Sequence, residues 1–114
     1  MSTNEALYDE AIEIEQHGDR EGAVGKLEEL LKQDATYALA HAALSVFYSK
    51  LQRHDEAISH ADKVCELEPK DPFSFVAKSL LCQKAGRIPE AERAMMEARR
   101  VHVAAQMGGG KDEG

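Results

Sequence analysis

His17, His41, His54, His60 and His102, with Cys65 and Cys82, are the side chains best suited to hold a metal or to act as base or nucleophile. Spacing decides whether they do. Catalysis needs a converging base, nucleophile or metal, and ligands on one helix face recur at three or four residues. No two of these histidines lie at helical ligand spacing with an acid or a cysteine beside them; His54 and His60 are six apart, on different faces. The cysteines form no CxxC and have no His/Cys ligand spacing. Both fall on apolar helix faces, where a free thiol is core packing. Asp9, Glu10 and Glu13 read as a solvated acidic face, not as a general acid–base pair. The GGGK at 108–111 has no strand before it and no Ser or Thr after Lys111, so it is no phosphate loop. The expectation is a protein without catalytic, metal or cofactor residues, hence not an enzyme. His41 is expected to be a satisfied core histidine rather than a pH switch.

The bulk composition narrows the class further. The chain has 114 residues, 31% charged and 43% hydrophobic, which fits one folded domain rather than a disordered chain. A net charge of −7 argues against a nucleic-acid or anionic-membrane binder. The charge is uneven: residues 1–37 hold ten acids and three bases, whereas residues 72–114 hold five acids and seven bases. The N-terminal MSTNEALYDEA is acidic and lacks an apolar core, unlike a signal peptide. No run approaches the ~18 apolar residues of a membrane span. With two buried thiols, a cytoplasmic location is expected.

The elements that position these residues emerge from small side chains. Ala23, Ala57 and Ala91 are 34 residues apart, and so are Ala11, Ser45 and Ser79. Gly18-Asp19, Gln52-Arg53 and Gly86-Arg87 fall between the two sets at the same interval. A period of this length, built of helix–turn–helix units, signals a stacked helical array. Two antiparallel helices joined by a tight turn must approach closely where they cross, so the small residues pair across each crossing: Ala11 with Ala23 and Ser45 with Ala57. Helices are expected near 4–17, 20–34, 38–51, 54–68, 72–85 and 89–106. Ser2 with Glu5 forms a capping box for the first. Asp71 caps the fifth with Pro72 at its first position, and Pro89 takes that place in the sixth. The Gly-rich tail, 108–114, is expected to be disordered.

These small residues, turn glycines and Pro69 resemble the tetratricopeptide repeat, in three copies at about 4–37, 38–71 and 72–105, within a domain spanning 1–107. The resemblance implies an all-α, right-handed superhelical stack of three antiparallel helix pairs. Two departures stand out. The large aromatic near the start of each repeat is Leu7, His41 and Phe75, and the closing proline of the first repeat is Ala35. Such arrays are binding scaffolds whose first helices line a concave groove. A known clamp on this fold grips the C-terminal carboxylate of chaperone tails with Lys, Asn and Arg. The matching positions here are Tyr8, Ile12, Ala43, Phe73 and Ala77, none of which can grip a carboxylate, and this argues against a chaperone-tail partner.

The groove face opposite each second helix carries Tyr8 and Ile12, then Leu39, Ala42, Ala43, Val46 and Lys50, then Phe73, Val76, Ala77, Leu80 and Lys84. A solvated face should be polar. An apolar strip instead implies a protein or peptide ligand with an apolar stripe. The alternative is a structural subunit whose groove closes a homodimer. Glu5, Asp9 and Glu15 border the strip at one end, and Lys50 and Lys84 further along, which would orient a ligand. Both ends of the stack read as capped. Ala6, Glu10, Glu13 and His17 make the first outward stripe polar, and Glu92 and Arg99 stand where Ile58 and Cys65 pack in the repeat before. Lys78, on the stripe facing the second repeat, is expected to snorkel.

Overall fold

Every helix pair stops and restarts on the same two backbone bonds. In the computed structural model, which describes the backbone of residues 3–112 and the side chains of 3–108, the chain runs through α1 (Asn4–Gln16), α2 (Arg20–Gln33), α3 (Ala38–Lys50), α4 (His54–Leu67), α5 (Pro72–Lys84) and α6 (Ile88–Asp112). At the end of α3, the Gln52 amide donates to the Ser49 carbonyl (3.0 Å) and the Arg53 amide to the Tyr48 carbonyl (2.8 Å). That pair of bonds satisfies carbonyls the helix leaves open and requires a left-handed residue between. Gly18 with Asp19 and Gly86 with Arg87 make the same bonds after α1 and α5. The left-handed residues are Gly18 (φ 98°), Gln52 (φ 64°) and Gly86 (φ 78°), at the 34-residue interval. The turns that the repeat aligned are therefore one turn built three times.

Starts vary more. Asp19 caps α2 by accepting from the Gly22 amide at 2.8 Å. A Cβ at Gly22 would lie 2.2 Å from an Asp19 carboxylate oxygen, so glycine is what lets this cap close. Asp71 caps α5 through the Phe73 amide, with Pro72 opening the helix, as expected. The cap of α1 differs from the expected box: Thr3 Oγ1 accepts from the Ala6 amide at 3.0 Å, and Ser2 lies outside the described residues. Pro89 occupies the second position of α6, since that helix begins at Ile88. α6 also runs past the expected end at 106, and its backbone is helical through Asp112, including the start of the segment expected to be disordered. Each added amide finds its carbonyl four residues back without a new nucleation cost, which carries a helix through residues that would not start one.

The close-contact residues are all buried: Ala11, Ala23, Ala57 and Ala91 are at most 1% exposed, and Ser45 and Ser79 lie with them in the interior. Ser79 Oγ donates to the Ala91 carbonyl at 2.8 Å, a bond from α5 to the backbone of α6 that only a close crossing allows. Between pairs, α3 buries Ala40, Leu44 and Phe47 in one cluster with Val24, Leu27 and Leu30 of α2. Ile58 and Ala61 of α4 join Leu81 and Cys82 of α5 and Ala91 of α6 in a second. Cys65 and Cys82 are buried free thiols. Lys78 snorkels out of the α4–α5 seam to Asp62, 2.7 Å away. No helix among the described residues is long and apolar enough to cross a membrane.

Candidate functional site

Four of the large hydrophobic side chains left in solvent lie on α3 and α5, and they repeat. Leu39 (56% exposed) and Phe73 (76%) are 34 residues apart, as are Val46 (43%) and Leu80 (50%). Two helices thus present the same pair of apolar side chains, two turns apart on one face. Ala42, Ala43 and Val76 sit half-buried between them, and Ala77 is exposed. The corresponding face of α1 is less open. Tyr8 and Ile12 pack onto the core cluster, and the Tyr8 ring lies 6.2 Å from that of Tyr37. The strip is therefore carried by α3 and α5, with α1 closing one end.

Charge borders this strip unevenly. Lys50 and Lys84, also 34 apart, line one recess with Ser49, Gln52 and His54 at the C-terminal ends of α3 and α5. Neither lysine has an ion-pair partner among the described residues. At the other border Glu5 and Asp9 are exposed. Glu15 is not free as the spacing suggested: Arg20 engages its carboxylate at 3.2 Å, across the first turn.

Away from this face the structure joins two histidines that the spacing left unrelated. His41 is 6% exposed with both ring nitrogens bonded: one lies 2.8 Å from the Ala35 carbonyl, the other 2.9 Å from His60 Nδ1. Because a carbonyl only accepts, His41 Nε2 carries the proton. The Nδ1–Nδ1 bond to His60 holds a single proton between the two rings. The far nitrogen of His60 faces Glu28 at 3.7 Å, and Tyr48 donates to the same carboxylate at 2.5 Å. Burial of the His60 ring depresses its pKa, with Glu28 pulling the other way and His41 adding to the depression. Burial and the Glu28 carboxylate together push the Tyr48 hydroxyl well up. His41 and Ala35, one residue from each of the two departures from the repeat pattern, are thus bonded to each other. Asp34 completes that loop by accepting from the Thr36 amide and hydroxyl. Each group in this cluster is held by a neighbour.

The thiols are equally sheltered. Burial pushes Cys65 up to about 11 and raises Cys82 as well, so both are protonated at neutral pH. Among the described residues no three His, Cys, Asp or Glu side chains converge as a metal site would require.

No protein-family model and no curated protein matches the sequence. Solved structures do match the fold. Two crystal structures of MamA superpose with TM-scores of 0.83 and 0.85, each at 20% identity over 92% of this chain. The chain spans 61% and 57% of the length of those two MamA chains. The second TPR of Spaghetti (RPAP3), bound to the HSP90 peptide SRMEEVD, superposes at 0.75 with 18% identity, over 86% of this chain and 91% of that one. The six helices among the described residues, with one turn recurring every 34 residues, have the architecture of those structures: this is an all-α stack of the tetratricopeptide type.

Proposed function

We propose that the chain is a non-enzymatic protein-interaction scaffold that holds an amphipathic helix or an apolar extended peptide against the shared face of α1, α3 and α5. The observation that carries this is the repeated exposed quartet Leu39, Val46, Phe73 and Leu80. Scattered apolar side chains are ordinary on a protein surface, but a contiguous strip of this kind marks a contact surface. Burying Val46 and Leu80 is worth about 1.5–3 kcal/mol each before ordering costs.

The charged borders supply direction. A ligand places basic residues near Glu5 and Asp9 and acidic residues near Lys50 and Lys84. Rim charges act on encounter more than on residence, so salt slows association more than it speeds release. The RPAP3 domain with its HSP90 peptide supports peptide capture on this architecture. The specificity differs here, because Tyr8, Ile12, Ala43, Phe73 and Ala77 offer a chaperone carboxylate no donor side chain except the Tyr8 hydroxyl. The sheltered thiols suit a reducing compartment, and we place the scaffold in the cytoplasm on that ground.

Selection from a displayed random peptide library tests the reading. Enriched peptides should carry an apolar stripe with acids toward one end. Binding should vanish with Val46→Glu, which would bury an unpaired charge at the centre of the strip. A folded Val46→Glu protein that holds the same peptides at unchanged affinity would remove the groove as the site.

A further inference from the structure

The remaining exposed large hydrophobic side chains form a second surface, on α6. Ile88 (50% exposed), Met96 (65%), Val103 (50%) and Met107 (64%) all stand in solvent. At 100° per residue, Ile88, Glu92, Met96, Arg99 and Val103 fall within an arc of about 80°. The opposite arc holds Ala91, Ala94, Ala98 and Val101, all buried beneath the helix. The end of the stack expected to be capped by Glu92 and Arg99 therefore presents those two charges inside an apolar stripe. Ile88, Glu92, Met96 and Arg99 of this stripe also form one wall of a cleft between α5 and α6, with Gln83 and Met95.

The stripe is self-complementary. Glu92 and Arg99 lie equally far from the step between Met95 and Met96, and so do Ile88 and Val103. We propose that this face is an interface between two copies of the chain, with α6 packed antiparallel on α6 about a twofold axis at the Met95–Met96 step. Ile88 then meets Val103 of the second copy, Glu92 meets Arg99, and the methionines fill the centre. The twofold axis repeats each contact, as an isologous interface requires. A parallel pairing would set glutamate on glutamate and arginine on arginine. Neither Glu92 nor Arg99 has an ion-pair partner in its own chain among the described residues, whereas neighbouring Glu97 and Arg100 pair with each other. A foreign helix would have to reproduce this reversed order of charges, and a second copy carries it already. The stripe from Ile88 to Val103 is about 22 Å long, a small contact that fits a micromolar dimer rather than an obligate one.

Sedimentation equilibrium over about 1 to 200 µM tests the proposal, with a reversible monomer–dimer equilibrium expected for the wild type. Arg99→Glu and Glu92→Arg should each weaken the dimer about tenfold, because each sets like charges together twice. The double variant Glu92→Arg/Arg99→Glu should restore association to within about threefold of wild type. Both positions are exposed, so circular dichroism should show all three variants folded. A wild type that stays monomeric throughout overturns the proposal. So does a dimer indifferent to Arg99→Glu, or a double variant as weak as the singles. A dimer abolished by Val46→Glu but kept by Arg99→Glu would assign the interface to α3 and α5 and overturn it likewise.

Discussion

Replacing Gln52 by glycine should make the protein more stable. Gln52 sits at φ 64°, in the left-handed region, at the place where Gly18 and Gly86 serve the other two turns. A side chain there costs about 1–2 kcal/mol, because its Cβ crowds the following carbonyl. Glycine removes that cost and adds about 0.5–1 kcal/mol of backbone entropy to be lost on folding. Nothing else changes: Gln52 makes no side-chain hydrogen bond, is exposed, and both turn bonds run through backbone amides. The net gain is about 0.5–1 kcal/mol. For a domain of this size that raises Tm by roughly 2–4 °C.

The reverse substitutions make the test strict. A Cβ at Gly18 or Gly86 would meet no atom within 4 Å, so space is not what forbids one there. Gly18→Ala and Gly86→Ala should nonetheless lower stability by about 1 kcal/mol each, through φ alone. Urea titration of the four proteins by circular dichroism, at constant m, measures all three changes. A Gln52→Gly protein less stable than wild type, or a neutral Gly18→Ala, would refute the claim that one strained turn is built three times.

Ala57→Leu should lose about 1–3 kcal/mol by forcing α3 and α4 apart where they cross, while Ala42→Leu, half-buried in the strip, should cost little; equal melting losses would mean the faces are misassigned. Because burial depresses the pKa of His60 in the folded protein, the unfolded chain binds its proton first, so this stability is complete above the ordinary histidine range and is lost as pH falls through the folded value. Urea titrations at pH 7 and pH 5 should therefore show a drop that is smaller in His60→Gln, and an equal drop in both proteins would show that His60 does not carry it.

The period of small residues made the architecture legible before any contact was known. Ala23, Ala57 and Ala91 occupy crossings where only a Cβ fits, and a constraint that strict leaves a mark in the chain each time it recurs. Five of the six helix starts fell on the expected residue, and the sixth a single residue away, because the turn bonds fix where one helix ends and the next begins. Helix ends were less legible. α6 outran its expected end because its length is set by propagation and not by a crossing.

The binding surfaces divided in the same way, for a physical reason. Leu39, Val46, Phe73 and Leu80 could be read from the repeat, since the interior claims one face of each first helix and these lie opposite. Tyr8 and Ile12 share that register yet pack inward, because Tyr37, just ahead of α3, supplies a ring for Tyr8 that the register does not encode. The His41–His60 bond was invisible for a related cause: its partners are 19 residues apart on different helices, and the carbonyl that fixes its tautomer belongs to Ala35, where a proline would close the repeat. The α6 stripe was hidden by the reading of the stack's end. Glu92 and Arg99, taken alone, say that the last helix faces water. Only with Ile88, Met96 and Val103 beside them do the two charges sit within an apolar face, and their reversal about Met95–Met96 is then a property of order along the helix, which no count of charges contains.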